Sequence, residues 1–201
     1  MSKIKICGLR RMEDASYVNE IKPDYVGFVF WDKSKRNLTF DEAKRLRDAI
    51  DPEIKTIGVF VNRDINDIVY LTENGIISGV QLHGTETEAD IKEVRERCPE
   101  GTWVLKAFEV KDEGDAQRAN ESSADMILVD SGKGSGNVFD WTILNSLTRD
   151  YILAGGLSAE NVGDAVKAYH PFAVDVSSKV ETDGYKDREK ILDFCNAVRH
   201  I

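Results

Sequence analysis

Two hydrophobic periods alternate along this chain. Short apolar runs, typical of strands that are buried on both faces, alternate with longer segments in which apolar residues recur every three or four positions, as on one face of a helix. The predicted strands span residues 3–7, 24–30, 55–61, 79–82, 103–108, 126–129, 151–153 and 172–176. The predicted helices span residues 12–20, 40–50, 64–74, 86–97, 112–120, 141–147, 160–169 and 187–200.

This regular alternation predicts an α/β protein with a parallel sheet and helical crossovers. Eight strand–helix units favour closure into a compact (β/α)8 barrel, the TIM barrel. Such barrels typically run to about 250 residues, so the 201 residues of this chain predict a single catalytic domain over residues 1–201. The competing doubly wound sheet would place a glycine-rich GxGxxG turn after its first strand, whereas this chain has Cys7-Gly8-Leu9-Arg10 at that point.

Composition and cysteine content indicate the class of protein and the cellular compartment. Hydrophobic residues make up 41% of the chain and charged residues 31%, which is ordinary for a globular protein. The three scattered cysteines, Cys7, Cys98 and Cys195, are too few for a disulfide framework or a zinc site, and an odd number suits a reducing compartment. No run approaches the ~20 apolar residues of a membrane span, so we expect a cytoplasmic protein that binds neither membrane nor metal.

The net charge of −9, with a pI near 4.9, argues against nucleic acid as a partner, because nucleic-acid binding needs a basic surface. An acidic protein still binds an anionic small molecule if its inward-facing cations gather in one pocket. A phosphorylated small molecule is therefore the expected partner.

Several polar residues occupy strand positions that face the barrel interior, which is usually filled by branched aliphatic side chains. If Ile4 and Ile6 face the helices, Lys5 and Cys7 face inward. The other polar residues that the same alternation allows inside are Gln81, Lys106, Asp130 and Asp175. Because closure makes the first strand the neighbour of the last, we expect Lys5 to pair with Asp175, since neither charge is buried cheaply alone.

Cys7 and Asp130 are the candidate catalytic pair. A thiol whose pKa is lowered by a neighbouring cation such as Lys5 acts as a base or nucleophile near neutral pH. Asp130 precedes the glycine-rich segment 131–136, and a carboxyl group shielded by a closing loop can stay protonated and act as an acid. The alternative for Cys7 is that of most free cysteines, a small buried hydrophobic residue.

Phosphate in these barrels commonly binds the loops after strands seven and eight. The first of these loops contains Gly155 and Gly156 and leads into a helix, so that its amides and the helix N-terminus can form an anion site. The second contains Ser177 and Ser178, which add hydroxyl groups and further amides.

Motifs along nearly the whole chain resemble those of the phosphoribosylanthranilate isomerase family of tryptophan biosynthesis. They are KICGLR at 5–10, VGFVF at 26–30 with SKR at 34–36, GVFVN at 58–62, VQLHG at 80–84, VDSGKGSGNVFDW at 129–141, LAGGL at 153–157 and DVSSKVE at 175–181. The combination of KICG, VQLHG and a late DVSS is specific.

This resemblance implies an Amadori rearrangement, in which the ribose ring of N-(5-phosphoribosyl)anthranilate opens and the aminoaldose becomes an aminoketose. It implies that Cys7 is the general base for the C2′ proton, that Asp130 is the general acid for the ring oxygen, and that Arg36 holds the anthranilate carboxylate. No cofactor is implied. The remaining substrate-binding candidates are Gln81, Gly155, Gly156, Asp175, Ser177 and Ser178, and the chain is expected to be a monomer or a homodimer.

One departure from the family pattern is Lys179, which stands where the family usually has glycine. If that position requires a positive φ or a close approach to phosphate, lysine is strained there by ~1 kcal/mol or more. Two other functions stay open: a non-catalytic barrel that binds sugar phosphates, and the related aminoaldose isomerase of histidine biosynthesis. The latter calls for an acidic residue on strand one and two matched phosphate sites, whereas this chain has Cys7 there.

Overall fold

The predicted barrel is confirmed. A computed structural model, which describes residues 1–130 and 141–201, contains eight parallel strands that close on themselves in chain order, β8 pairing with β1. The strands are β1 Lys3–Cys7, β2 Tyr25–Phe30, β3 Lys55–Phe60, β4 Gly79–Leu82, β5 Trp103–Glu109, β6 Met126–Asp130, β7 Tyr151–Ala154 and β8 Ala173–Val176.

Helices lie between consecutive strands on the outside of this barrel, and a final helix follows β8. They are α1 Met12–Ile21, α2 Phe40–Ala49, α3 Ile65–Glu73, α4 Glu88–Arg97, α5 Glu113–Glu121, α6 Val162–Tyr169 and α7 Arg188–Arg199. The segment predicted as a helix at 141–147 is a 3₁₀ helix, Trp141–Ser146. Several helices begin later than predicted because the first polar residue is a cap; the Asp64 side chain, for example, accepts a hydrogen bond from the Asn66 amide.

Apolar side chains of the described residues form two large cores and one small cluster, which consists of Cys7, Val29 and Val59. The larger lies between the strands and the helices and includes Ile4 and Ile6 of β1. The smaller fills the barrel interior, and its buried members are Tyr25, Ile57, Leu105, Met126, Leu128, Ile152, Ala154 and Ala173. Lys5 and Cys7 face this interior, as predicted, because they alternate with the outward Ile4 and Ile6.

A short hairpin after β8 was not predicted. It consists of β9 Glu181–Thr182 and β10 Tyr185–Lys186, which pair antiparallel. The two residues between them, Asp183 and Gly184, have φ values of 51° and 79°, which is the requirement of a type I′ turn. The Asp-Gly dipeptide was therefore the sequence signal for this hairpin.

The first condition named for strain at Lys179, a positive φ, is not met. Lys179 lies within a second 3₁₀ helix, Ser178–Val180, and it is not among the residues with a positive φ. The chain thus accommodates lysine at this position through ordinary right-handed backbone. Among the described residues, no helix is both long enough and apolar enough to cross a membrane.

Candidate active site

Cys7 ends β1 at the mouth of the barrel, where a glycine on the next strand makes room for it. Cys7 is opposite Gly27 in the β1–β2 register, and a Cβ atom on Gly27 would lie 2.6 Å from the Cys7 Sγ atom. Only 8% of Cys7 is exposed, and its buried apolar neighbours are Val29 and Val59. The thiol is therefore held in a tight pocket that any side chain at position 27 would fill.

The predicted pairing of Lys5 with Asp175 is confirmed. The two residues are register partners of β1 and β8, and the Lys5 Nζ atom lies 3.1 Å from Asp175 Oδ1, with side-chain exposures of 0% and 10%. Burial lowers the pKa of the Lys5 amine, but the Asp175 carboxylate and the neighbouring Cys7 outweigh this and raise it overall. Lys5 is therefore a buried, fully charged ammonium below Cys7.

The expectation that Lys5 lowers the pKa of the Cys7 thiol overall is wrong. Burial raises this pKa and is the largest influence, while Lys5 and Lys186 lower it and Asp175 raises it further, so that the pKa is raised overall. The reason is that Lys5 shares its charge with Asp175, which leaves too little positive potential to offset the loss of water around the sulfur atom.

We expect Lys5→Met to destabilise the fold by ~3 kcal/mol or more, because it leaves the Asp175 carboxylate buried without its partner. Urea unfolding would measure the loss. The matched control is Lys44→Met, which removes an ion pair with Asp48 in which both side chains are about 60% exposed and should cost less than about 1 kcal/mol. Equal small effects of both substitutions would contradict a stabilising role for the buried pair.

Asp130 ends β6 and lies near two side chains from β4 and its following loop. The Asp130 Oδ2 atom is 3.8 Å from His83 Nε2, and His83 Nδ1 is 2.8 Å from Gln81 Nε2. Burial lowers the pKa of His83 despite the nearby Asp130, which favours a neutral imidazole. Gln81 is buried and faces inward as predicted, and its Oε1 atom has no hydrogen-bond partner among the described residues.

Lys106, in contrast, does not face the interior as expected. Its register neighbours, Leu82 and Ile127, belong to the outer core, whereas the adjacent Leu105 is in the inner core. The Lys106 ammonium reaches the loop after β4, where it lies 2.7 Å from the Gly84 carbonyl oxygen and 3.2 Å from Glu86. This lysine stabilises a loop. The predicted closing segment 131–136 lies outside the described residues.

The two predicted phosphate loops follow neighbouring strands, β7 and β8. Gly155 and Gly156 have φ values of 86° and 66°. Asn161 holds this loop: its Oδ1 atom accepts from the Ser158 amide at 2.8 Å, and its Nδ2 atom donates to the Gly156 carbonyl at 3.1 Å. The structure thus brings both glycines to the same end of the barrel as Ser177 and Ser178, which follow β8.

Arg36 lies over Gly8, beside Cys7. Gly8 has a φ of 86°, and a Cβ atom there would come within 2.4 Å of Arg36 Cδ, so the glycine allows the arginine to cross the strand end. The Arg36 Nε and Nη2 atoms each donate to a different carboxylate oxygen of Glu181 at 2.7 Å. Glu181 also accepts from Lys186 at 2.7 Å. Sequence reasoning missed a role for both hairpin residues.

The geometry thus collects a thiol, a carboxyl group, an arginine and two glycine- or serine-containing loops at one end of the barrel, a set suited to proton transfer on an anionic sugar. A family model described as N-(5'phosphoribosyl)anthranilate (PRA) isomerase matches residues 4–197. The chain belongs to this isomerase family. It is accordingly an aldose–ketose isomerase of tryptophan biosynthesis.

Relatives of the same name cover the whole chain. The N-(5'-phosphoribosyl)anthranilate isomerase of Endomicrobium trichonymphae is 44% identical over 100% of both chains, and that of Thermoanaerobacter sp. (strain X514) is 42% identical, also over 100% of both. The crystal structure of phosphoribosyl anthranilate isomerase from Thermotoga maritima is 37% identical, with a TM-score of 0.89 and full coverage of both chains. A structure of phosphoribosyl anthranilate isomerase in complex with reduced 1-(o-carboxyphenylamino)-1-deoxyribulose 5-phosphate is 36% identical, with a TM-score of 0.87 and the same coverage.

Proposed function

We propose that Cys7 and Asp130 divide the proton transfers of the Amadori rearrangement of N-(5-phosphoribosyl)anthranilate. The Asp130 carboxyl group donates its proton to the ribose ring oxygen, the C1′–O bond breaks, and the lone pair of the anthranilate nitrogen forms a C=N bond. The Cys7 thiolate then takes the C2′ proton. The electrons of the broken C2′–H bond form a C1′=C2′ double bond, which converts the iminium into a neutral enolamine. Transfer of the enol proton to C1′ completes the aminoketose, so that the substrate neither gains nor loses atoms. The proton on Cys7 exchanges with solvent and Asp130 takes one up, which restores the thiolate and the carboxyl group for the next turnover.

The observation that carries this proposal is the placement of the Cys7 sulfur atom. It is fixed at the strand end by the space that Gly27 leaves, it sits above the charged Lys5, and Arg36 crosses beside it. In the closed barrel, β1 and β6 are separated by β7 and β8. The Cys7 thiol and the Asp130 carboxyl group therefore contact the substrate from different sides of the barrel mouth.

The two anionic ends of the substrate are bound at different places. The amides of Gly155 and Gly156 and the hydroxyl groups of Ser177 and Ser178 bind the phosphate. Arg36 binds the anthranilate carboxylate through the Nη1 side of its guanidinium, since Nε and Nη2 face Glu181. The ligand of the 36% identical structure carries a carboxyphenyl group and a 5-phosphate, so an isomerase of this fold binds a molecule with these two anionic ends.

Gln81 and Asp175 bind the middle of the substrate. The buried Gln81 Oε1 atom accepts a hydrogen bond from a sugar hydroxyl group or from the bridging amine, which satisfies an acceptor that is otherwise costly to bury. Asp175, oriented by Lys5, accepts from a second hydroxyl group.

We further propose that the enzyme works in the cytoplasm as a monomer or homodimer; a similar Thermotoga maritima structure is of monomers generated from a dimeric isomerase.

A fluorescence assay that follows the consumption of N-(5-phosphoribosyl)anthranilate tests the proposal. The purified protein should convert the substrate fully to the aminoketose without added metal or cofactor. A protein that bound the reduced product analogue but showed no turnover would instead be a sugar-phosphate binder, and the proposed proton transfers would be wrong.

A further inference from the structure

A chain of buried charges connects the hairpin after β8 to Arg36. Lys186 on β10 and Glu181 on β9 are register partners, so their side chains lie on the same side of the hairpin. The Lys186 side chain is 1% exposed and its ammonium lies 2.7 Å from a Glu181 oxygen, and the Glu181 side chain is 7% exposed. Glu181 in turn holds Arg36 through two hydrogen bonds of 2.7 Å.

The Lys186 end of this series of buried charges is bound to one of the two loops proposed to bind phosphate. Lys186 Nζ donates to the Ser177 carbonyl oxygen at 3.0 Å as well as to Glu181. Burial lowers the pKa of Lys186, opposed by Glu181, while hydrogen bonds from Arg36 and Lys186 outweigh burial and lower the pKa of Glu181. The Glu181 carboxylate therefore lies charged between two cations.

The hairpin itself is fixed from outside. The Arg11 Nη2 atom donates to the Lys186 carbonyl oxygen at 2.8 Å, and the Arg10 guanidinium donates to the Gly184 carbonyl oxygen at 2.5 Å. The Tyr185 ring has the guanidinium groups of Arg10 and Arg11 at 4.7 Å and 4.5 Å from its centroid. A hairpin held this firmly can set the orientation of a side chain that it contacts.

A guanidinium group has two edges through which it can bind a carboxylate in a bidentate manner. Glu181 occupies the Nε–Nη2 edge of Arg36, which fixes the plane of the group. The Nη1 side then points in one direction only. Without the hydrogen bonds to Glu181, the long Arg36 side chain would lose rotamer freedom each time a substrate molecule binds.

We infer that Glu181 and Lys186 are positioning residues that hold Arg36 ready for the carboxylate of the substrate. This inference rests on the proposed function and adds two residues to it. Glu181 fixes the guanidinium plane, and Lys186 fixes Glu181 by binding it to the Ser177 carbonyl oxygen. Arg36, proposed to bind the carboxylate of the substrate, is thereby connected to the Ser177 loop, which is proposed to bind the phosphate.

The test compares two substrates, N-(5-phosphoribosyl)anthranilate and N-(5-phosphoribosyl)aniline, which lacks the carboxylate. We expect Lys186→Met to raise KM for the first about tenfold, the order of one charged hydrogen bond, with kcat changed less than about threefold. KM for the second should change less than about twofold. The matched control is Lys190→Met: Lys190 is exposed and donates to the Glu181 backbone carbonyl at 2.8 Å, and its loss should change neither KM.

Glu181→Gln keeps the inference testable if Lys186→Met fails to fold. Glutamine offers Arg36 a single oxygen acceptor, so KM for the carboxylate substrate should again rise selectively. A lower KM would show that Glu181 competes with the substrate for Arg36 and would overturn the inference.

Arg36→Met is the reference that separates this inference from the proposed function. If it raises KM only for the carboxylate substrate and the hairpin variants do not, the hairpin does not position Arg36, and the function stands. If it affects both substrates equally, the proposed carboxylate role of Arg36 is wrong and the inference fails with it, while turnover by the unaltered chain still supports the isomerase.

Discussion

Replacing Cys7 with serine should lower kcat at least about 10²-fold while the barrel stays folded. Serine fits the space that Gly27 leaves for the thiol, but an alcohol is a much poorer proton acceptor than a thiolate, and a positioned general base contributes about 10²–10⁴-fold. Steady-state kinetics and a thermal unfolding curve would measure both effects.

Cys98→Ser is the matched control for this substitution. Cys98 is a free cysteine that is 8% exposed, as Cys7 is, but it lies at the C-terminal end of α4, away from the barrel mouth. Its replacement should leave kcat unchanged. A fully active Cys7→Ser enzyme would rule out the thiol as the base.

The pH profile of the unaltered enzyme should carry the signature of this base. Cys7 faces charged groups from several elements: Lys5 on β1, Asp175 on β8, Lys186 on β10 and Arg36 after β2. Because burial raises the thiol pKa in spite of the cations, and because the base must be deprotonated, kcat/KM should still rise with pH above about pH 8. A plateau that begins below neutral pH would contradict Cys7 as the titrating base.

Asp130→Asn should lower kcat by about 10²–10⁴-fold with little change in KM. The amide keeps the shape of the carboxyl group, yet it has no acidic proton for the ring oxygen, so the interaction lost is one made in the transition state. Asp193→Asn, an exposed position on α7, is the isosteric control and should be indistinguishable from the unaltered enzyme. A large increase in KM with kcat preserved would make Asp130 a binding residue.

The barrel was predictable because its signal is repeated eight times, and a shift of one or two residues at any helix end does not alter it. The Lys5–Asp175 pair was also predictable: β1 has a clear alternation, and closure of the barrel fixes its neighbour. β5 offers no such alternation. Its central residues are apolar on both sides of Lys106, so the orientation of that lysine is known only from its register with Leu82 and Ile127, which belong to the outer core.

Two features of the site could not be predicted from the sequence: the direction of the Cys7 pKa shift and the contact between Glu181 and Arg36. The direction of the Cys7 pKa shift follows from burial against the charge of Lys5, and the degree of burial is known only from the fold. The contact between Glu181 and Arg36 joins residues 145 positions apart through a hairpin of two-residue strands. Such short strands have no periodicity to detect.

The Lys5–Asp175 pair also has a consequence for synthesis. Its two members are separated by 170 positions, and a chain is made from its N-terminus at about 5–20 residues per second. Until Asp175 has left the ribosome, the Lys5 ammonium has no carboxylate to replace its water, and β1 has no β8 to pair with. The nascent chain therefore leaves one side of β1 unpaired for most of translation, and an unpaired strand edge of this kind is a template for aggregation until β8 is made.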